Sequence, residues 1–251
     1  MKITLIGSGN VATILGTLMK KNGHEVLQVI SRNITHAHIL ATPLGAAASD
    51  YKTQPDERSE VVIFAVNDDV LTNNSHHFQM HNALVVHTAG AAPMKILEKY
   101  SDNYGVLYPL QSLNKQAPPK DDIPFLTDAS STDNLIMINA LAESLSDSVH
   151  YADDHQRLVL HTAAVVVNNF TNHLYDLAED FCRNEFVDFK LLLPLILETG
   201  NRLQTHSPAE LQTGPAIRKD IHTLDLHLRK LALYPHLRTM YLRMTDSIMN
   251  P

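Results

Sequence analysis

The chain has 251 residues, 44% of them hydrophobic, with 9 Gly, 12 Pro and a formal net charge of −7. These values exclude disordered, collagen-like and low-complexity classes. A single cysteine, Cys182, excludes an intramolecular disulfide framework, and an acidic chain without a Lys/Arg run argues against nucleic acid or an anionic membrane as partner.

Lys2 and the apolar residues up to Met19 imitate a short signal peptide, but Gly7, Ser8, Gly9 and Asn10 break the apolar run such a peptide needs. No stretch reaches the roughly 18 apolar residues of a membrane span, so a cytoplasmic protein is expected. Short, β-branched apolar runs at residues 3–6, 25–30, 61–66, 83–87, 104–107, 124–126 and 149–151 predict strands. Helical-looking segments of about 10 to 15 residues separate them, which is the βαβ rhythm of a parallel sheet. The run at 61–66 is apolar at every position, as suits a strand covered on both faces. Residues 111–122, with Pro118 and Pro119, read as a loop within this domain.

After Asp153 the β-branched runs stop. Leu158, Val165 or Val166, Phe170, Leu174, Leu177 and Phe181 recur at helical spacing, with Asp153 or Asp154 as the N-cap. Further helices are predicted over 187–204, kinked at Pro194, over 215–233 and over about 235–249. The expected fold is therefore α/β: a doubly wound, mostly parallel sheet over residues 1–152, then a smaller all-α domain over 153–251.

Directly after the first strand stands Gly7-Ser8-Gly9-Asn10-Val11-Ala12, a G-x-G-x-x-A turn opening a helix over 10–20. Gly7 allows the tight turn, Gly9 lets a pyrophosphate approach the backbone, and the helix N-terminus faces the anion with free N–H groups. That is the Rossmann dinucleotide-binding arrangement. The second strand runs into Ser31-Arg32-Asn33, where an NAD-preferring fold offers an acid to the ribose 2′-hydroxyl. A hydroxyl, a guanidinium and an amide suit a 2′-phosphate, so NADP(H) is expected over NAD(H); the competing reading of Arg32 is a solvated loop arginine.

With this turn, Ser31-Arg32-Asn33 and Ala65-Val66-Asn67-Asp68-Asp69, the N-terminal half resembles the NADP-binding domain of the pyrroline-5-carboxylate reductase and 6-phosphogluconate dehydrogenase-like superfamily. Val86-His87-Thr88-Ala89-Gly90, Tyr108-Pro109-Leu110-Gln111-Ser112, the segment from His161 to Asn169, and Thr213-Gly214-Pro215-Ala216-Ile217-Arg218-Lys219-Asp220 narrow the likeness. They resemble a Rossmann-like NADP oxidoreductase branch that carries a domain of unknown function. The resemblance covers nearly the whole chain. It implies a helical C-terminal domain that forms a homodimer and closes the active site, with Val66 and Asn67 beside the cofactor. In the β-hydroxyacid dehydrogenase relatives a catalytic Lys stands three residues before an Asn-Asn pair; here Val165 precedes Asn168-Asn169. The proton donor of that route is missing.

His161 lies one turn before Val165 and, on α-helical spacing, shares a face with Asn168 and Asn172. A histidine fits the vacant role of proton donor, against a plain hydrogen-bonded interface network. The predicted catalytic residues are His161, Asn168 and Thr88; Tyr108, Asn169, Arg218 and Asp220 are candidates for touching substrate. His87 also reads as a buried strand end, Asn67 and Asp69 as helix caps, and Arg218 with Asp220 as a salt-bridged helix start. The groups His76-His77-His81, His36-His38 and His222-His227 lack the companions of a zinc site and read as surface histidines, so no metal is expected. No nucleophile elbow or catalytic cysteine setting occurs. The function expected is an NADP-dependent oxidoreductase acting on a small carbonyl or imine at an interdomain cleft; the alternative is a non-catalytic NADP-binding sensor or interaction protein.

Overall fold

This computed structural model describes residues 1–73, 78–118 and 122–251. Pro119 of the predicted loop, and His76 and His77, lie outside the described residues. The chain divides into two compact units, Met1–Val165 and Val166–Pro251.

The first unit runs β1 (Lys2–Ile6), α1 (Asn10–Lys21), β2 (Glu25–Ile30), α2 (Ile34–Leu44), β3 (Ala47–Ser49), β4 (Val61–Phe64), α3 (Asp68–Asn73), β5 (Leu84–His87), β6 (Tyr104–Pro109), β7 (Phe125–Ala129), α4 (Thr132–Glu143), β8 (Val149–Tyr151) and α5 (Asp154–Ala164). The sheet order is β3-β2-β1-β4-β5-β6-β7-β8. All neighbours are parallel except β6 and β7. From β1 the chain winds outward to β2 and β3, then crosses to β4 on the other side, which opens a crevice at the carboxyl ends of β1 and β4.

Alternation along the strands sends side chains to two cores. Ile3, Leu5, Val61 and Ile63 pack with Leu15 and Leu141 on one face, and Ile6, Val62 and Phe64 pack with Leu71 and Leu97 on the other. Each such side chain contributes about 1.5–3 kcal/mol on burial. Uncovering either face would therefore forfeit roughly the whole net stability of a domain, and this is why helices flank both.

The strands depart from expectation chiefly at four places: β4 ends at Phe64 rather than at residue 66, β7 continues to Ala129 rather than ending at 126, β3 is additional and β6 is longer. β3 was not foreseen because Ala47-Ala48-Ser49 has no β-branched residue; it forms because α2 ends on left-handed Gly45 (φ 75) and returns the chain beside β2. β6 continues through Tyr108 and Pro109, which pair with Leu126 and Phe125 of β7. These two lie beyond the last β5 partner, Val106 opposite His87, so on that side no ladder bond is needed from the proline nitrogen.

A capping box starts α5: the Asp153 carboxylate accepts from Gln156 N at 2.8 Å and the Gln156 side chain accepts from Asp153 N at 3.1 Å. A π-wound segment follows at Val165–Phe170, then α6 (Thr171–Asn184), a 3₁₀ turn at Phe189–Leu192, α7 (Leu193–Arg202), α8 (Ile221–Lys230), a 3₁₀ turn at Leu231–Leu233 and α9 (Pro235–Met249). Pro194 does not kink a helix over 187–204; it sits in the first turn of α7, where a missing N–H does no harm. Nor does a helix begin at Pro215: α8 starts at Ile221, capped by Asp220. Among the described residues no helix is long and apolar enough to cross a membrane.

Candidate active site

Gly7 has φ +125, and a Cβ built on it would lie 2.1 Å from the Ala65 carbonyl oxygen. Only glycine lets β1 turn this close to the end of β4. Gly9 is different: it is extended, and a Cβ there would meet nothing within 4 Å. Its bare face is open space at the N-terminus of α1. That helix has no side-chain cap and no acid in its first turn, so its first N–H groups and its positive dipole end are available to an anion.

A cleft of about 680 Å³ opens at this point, lined by Gly7, Ser8, Gly9, Ser31, Arg32, Asn33, Val66 and Asn67 among the expected residues. Asn10 and Val11 are outside the lining; Val11 packs against the sheet core, and the Asn10 side chain accepts from Lys115 N at 3.4 Å. The Ser8 and Ser31 hydroxyls are hydrogen-bonded at 2.8 Å, tying the glycine turn to the end of β2. His36, Tyr51 and Asp69 also line the cleft; from sequence Asp69 reads first as a helix cap, and His36 and Tyr51 are not singled out as cofactor residues. The signal for His36 was its place in the first turn of α2, just after the cap at Asn33. Arg32 is the one fixed cation of the lining among the described residues, close enough for its charge to oppose the upward shift that burial gives the Tyr51 phenol. The bare glycine, the uncapped helix end and the Arg32 and His36 pair suit the pyrophosphate and 2′-phosphate of NADP.

A second polar group lies along the sheet edge, beyond the carboxyl ends of β5 and β6. The Tyr108 hydroxyl and His161 Nδ1 are 2.9 Å apart, with the two rings edge to face. Gly90 makes this fit possible: a Cβ there would lie 2.5 Å from His161 Nδ1. Gly90 closes the Val86-His87-Thr88-Ala89-Gly90 segment and was not marked as a site residue. Burial raises the Tyr108 phenol above its ordinary range, opposed by the Arg157 charge and reinforced by Asp68.

Thr88 and His87 are occupied differently. Thr88 donates from both N and Oγ1 to the Phe64 carbonyl, at 3.1 and 3.4 Å, which joins the ends of β4 and β5. His87 is fully buried and its Nδ1 accepts from Ala89 N at 3.1 Å. The Pro93 carbonyl faces this ring, yet among the described residues Nε2 finds no hydrogen-bond partner in proper geometry. Burial, followed by the Arg157 charge, pushes the ring down to about 3.

His87 thus makes stability depend on pH. Between about 6.5 and 3 the unfolded chain protonates this ring and the folded chain does not. The stabilisation is complete above pH 6.5 and falls by about 1.4 kcal/mol for each unit toward pH 3. A His87→Gln variant is expected to lose less stability than the parent between about pH 7 and pH 5, by about 2 kcal/mol, in denaturant unfolding. Parallel pH curves for the two proteins would remove the assignment.

In the second unit, Asp220 caps α8, accepting from Thr223 N and Oγ1 at 3.1 and 2.7 Å; those bonds hold its carboxyl below the usual range. Arg218 is exposed just before it. Asn168 and Asn169 are exposed on the π-wound segment. The wider winding interrupts the α-helical spacing on which a common stripe for His161, Asn168 and Asn172 depended. Among the described residues no group of His, Cys, Asp and Glu is arranged to hold a metal ion.

A doubly wound sheet, a G-x-G-x-x-A turn and a cleft at the strand crossover define a Rossmann-type dinucleotide-binding protein. Residues 2–89 match the family described as NADP oxidoreductase, coenzyme F420-dependent, and residues 123–248 match a domain of unknown function, DUF2520. The crystal structure of a "putative NADP oxidoreductase" from Bacteroides fragilis is 36% identical, covering 100% of this chain and 98% of that one with a TM-score of 0.91. The chain belongs to this DUF2520 family of NADP oxidoreductase-like proteins. The fold is shared further, with 1-pyrroline-5-carboxylate reductase from Streptococcus pyogenes at 15% identity, TM-score 0.62 and coverage of 100% and 99%. A reductive aminase from Aspergillus terreus, solved with NADPH and ethyl levulinate, has 16% identity, TM-score 0.67 and coverage of 98% and 94%. No curated protein matches the chain.

Proposed function

We propose that the protein is an NADPH-dependent reductase of a small carbonyl or imine compound, with His161 as the proton donor. The observation that carries this reading is the Tyr108–His161 pair at 2.9 Å, at the carboxyl edge of the sheet that also bears the nucleotide cleft. When bound, the nicotinamide supplies the hydride. The chain's own part is to hold the phosphates at Gly9 and Arg32, to orient the imidazole through Tyr108 and to deliver a proton to the substrate oxygen or nitrogen. His161 occupies the role that the lysine fills in β-hydroxyacid dehydrogenases, where this chain has Val165.

The test is NADPH consumption across a panel of small aldehydes, ketones, 2-oxo acids and cyclic imines, beside direct NADPH titration. Turnover of any member supports the reading. Tight NADPH binding without turnover of any member supports the non-catalytic sensor instead.

Arg32 sets the cofactor preference in this proposal. Arg32→Ala is expected to weaken NADPH binding about tenfold to a hundredfold, the worth of a charge-assisted contact of about 1.5–3 kcal/mol, and to leave NADH binding nearly unchanged. Equal losses for both cofactors, measured by fluorescence titration, would reject the role.

A homodimer through the helical unit is also part of the proposal. In that unit the buried apolar side chains are Ala216, Leu224 and Leu231, whereas Phe186 is 98% exposed, Leu233 86% and Leu191 73%. Three buried side chains cannot stabilise a helical unit of this size, and a second copy of the same apolar helices is the occupant that fits. Sedimentation equilibrium is expected to return twice the chain mass; a monomer at micromolar concentration would exclude it.

A further inference from the structure

Arg157 is 1% exposed, and of its three guanidinium nitrogens only Nη2 finds a hydrogen-bond partner among the described residues. That nitrogen donates to the Ala92 carbonyl at 2.5 Å and to Asp154 Oδ1 at 2.7 Å. The same carboxylate oxygen accepts from Met94 N at 2.9 Å. Ala92 and Met94 are thereby fastened to the first turn of α5. The other end of the segment is fastened as well, by Ala89 N donating to His87 Nδ1 and by Thr88 bonding to Phe64. Between the two attachments lies Gly90, whose backbone packs directly on the imidazole of His161. Arg157 and His161 are four residues apart on α5, hence on one face of that helix.

Burying a guanidinium costs several kcal/mol, and a half-exposed carboxylate with one carbonyl offsets only part of it. A methionine of similar length would fill this space with less desolvation. An arginine kept there with Nε and Nη1 unsatisfied fits a requirement for the one cationic nitrogen, Nη2, that holds Ala92 and Asp154 together.

We infer that Arg157 is a positioning residue for His161, fixing the imidazole toward Tyr108 by clamping the segment from Thr88 to Met94 against α5. The inference rests on the reading of His161 as proton donor only for its functional consequence; the positioning itself is measurable without a substrate. It differs from the Tyr108 contact, because Arg157 has its hydrogen bonds to Ala92 and Asp154 and acts on the imidazole through the Gly90 backbone.

The experiment is imidazole 15N NMR of the full chain, with the His161 signals assigned by their loss in His161→Gln. Tyr108→Phe defines the shift of a His161 ring freed from its hydroxyl partner. Arg157→Met, which keeps volume without donors, is expected to move the His161 signals to the position seen in Tyr108→Phe, while the imidazole signals other than those of His161 and the neighbouring His87 stay in place. Arg157→Lys, which keeps the charge on a shorter side chain that does not bring its nitrogen to the Nη2 position, is expected to move them in the same direction. Parent-like His161 signals in folded Arg157→Met overturn the inference. Should that variant not fold, Arg157→Lys and Asp154→Asn decide by the same readout, and parent-like signals in both overturn it. If the signals move as expected but His161→Gln reduces a panel substrate at the parent rate, the positioning stands and the proton-donor reading falls.

Discussion

Gly7→Ala is expected to destabilise the sheet unit by several kcal/mol and to abolish NADPH binding, whereas Gly9→Ala is expected to leave stability nearly unchanged and still lose the cofactor. At Gly7 two penalties add. A φ of +125 is a region in which an L residue is strained by about 1–3 kcal/mol, and the new methyl carbon would sit 2.1 Å from the Ala65 carbonyl oxygen. That carbonyl cannot yield, since Ala65 N donates to Ile6 O at 2.8 Å within the ladder between β1 and β4. Gly9 carries neither penalty, being extended and facing open space. A methyl there occupies only the volume into which a pyrophosphate would come. Thermal melting beside NADPH titration separates the two: a lowered melting temperature for Gly7→Ala alone and lost affinity for both. Tight NADPH binding by Gly9→Ala would place the phosphates elsewhere.

His161→Gln is expected to lower turnover of any panel substrate by about a hundredfold or more, the usual worth of a positioned general acid, with NADPH affinity unchanged. Glutamine retains much of the size and can accept or donate a hydrogen bond, but it cannot give up a proton near neutral pH. Tyr108→Phe is expected to cost less, about tenfold, because it frees the imidazole without removing it. The order of the two effects is the check. A larger loss for Tyr108→Phe would make the phenol the acid, although burial already holds its proton more tightly than usual. Full activity in His161→Gln would leave the histidine as a packing partner of Gly90 only.

Much of the nucleotide half was legible because its signals are local. Residues 3–6, 25–30 and 149–151 announced strands by composition, and all three are strands. The glycine turn spelled out its own geometry, since a tight left-handed turn and an open anion site each demand glycine at a defined position. The start of α5 was announced by Asp153 or Asp154 as an N-cap, and the structure takes Asp153, with Gln156 completing a capping box. Legibility ended where a residue's role depends on a distant partner. Arg157 carries no sequence signal of its role, and nothing near it in sequence tells that its guanidinium is buried against the Ala92 carbonyl and close to the His87 ring. Thr88 reads as a substrate ligand until the Phe64 carbonyl is found beneath it. His36 reads as half of a surface pair until α2 turns it into the cleft.

The sequence by itself determined the doubly wound sheet, the position of the phosphate turn and the basic residue that follows β2, because hydrophobic periodicity and glycine conformation act over a few residues. Only the tertiary structure decided that Tyr108 and His161, 53 positions apart, share a hydrogen bond, that Gly90 is the space in which they meet, and that a buried guanidinium holds that space in shape. Those are contacts between the ends of separate strands and one helix, and a chain's order along the backbone does not contain them until the sheet has set the strands side by side.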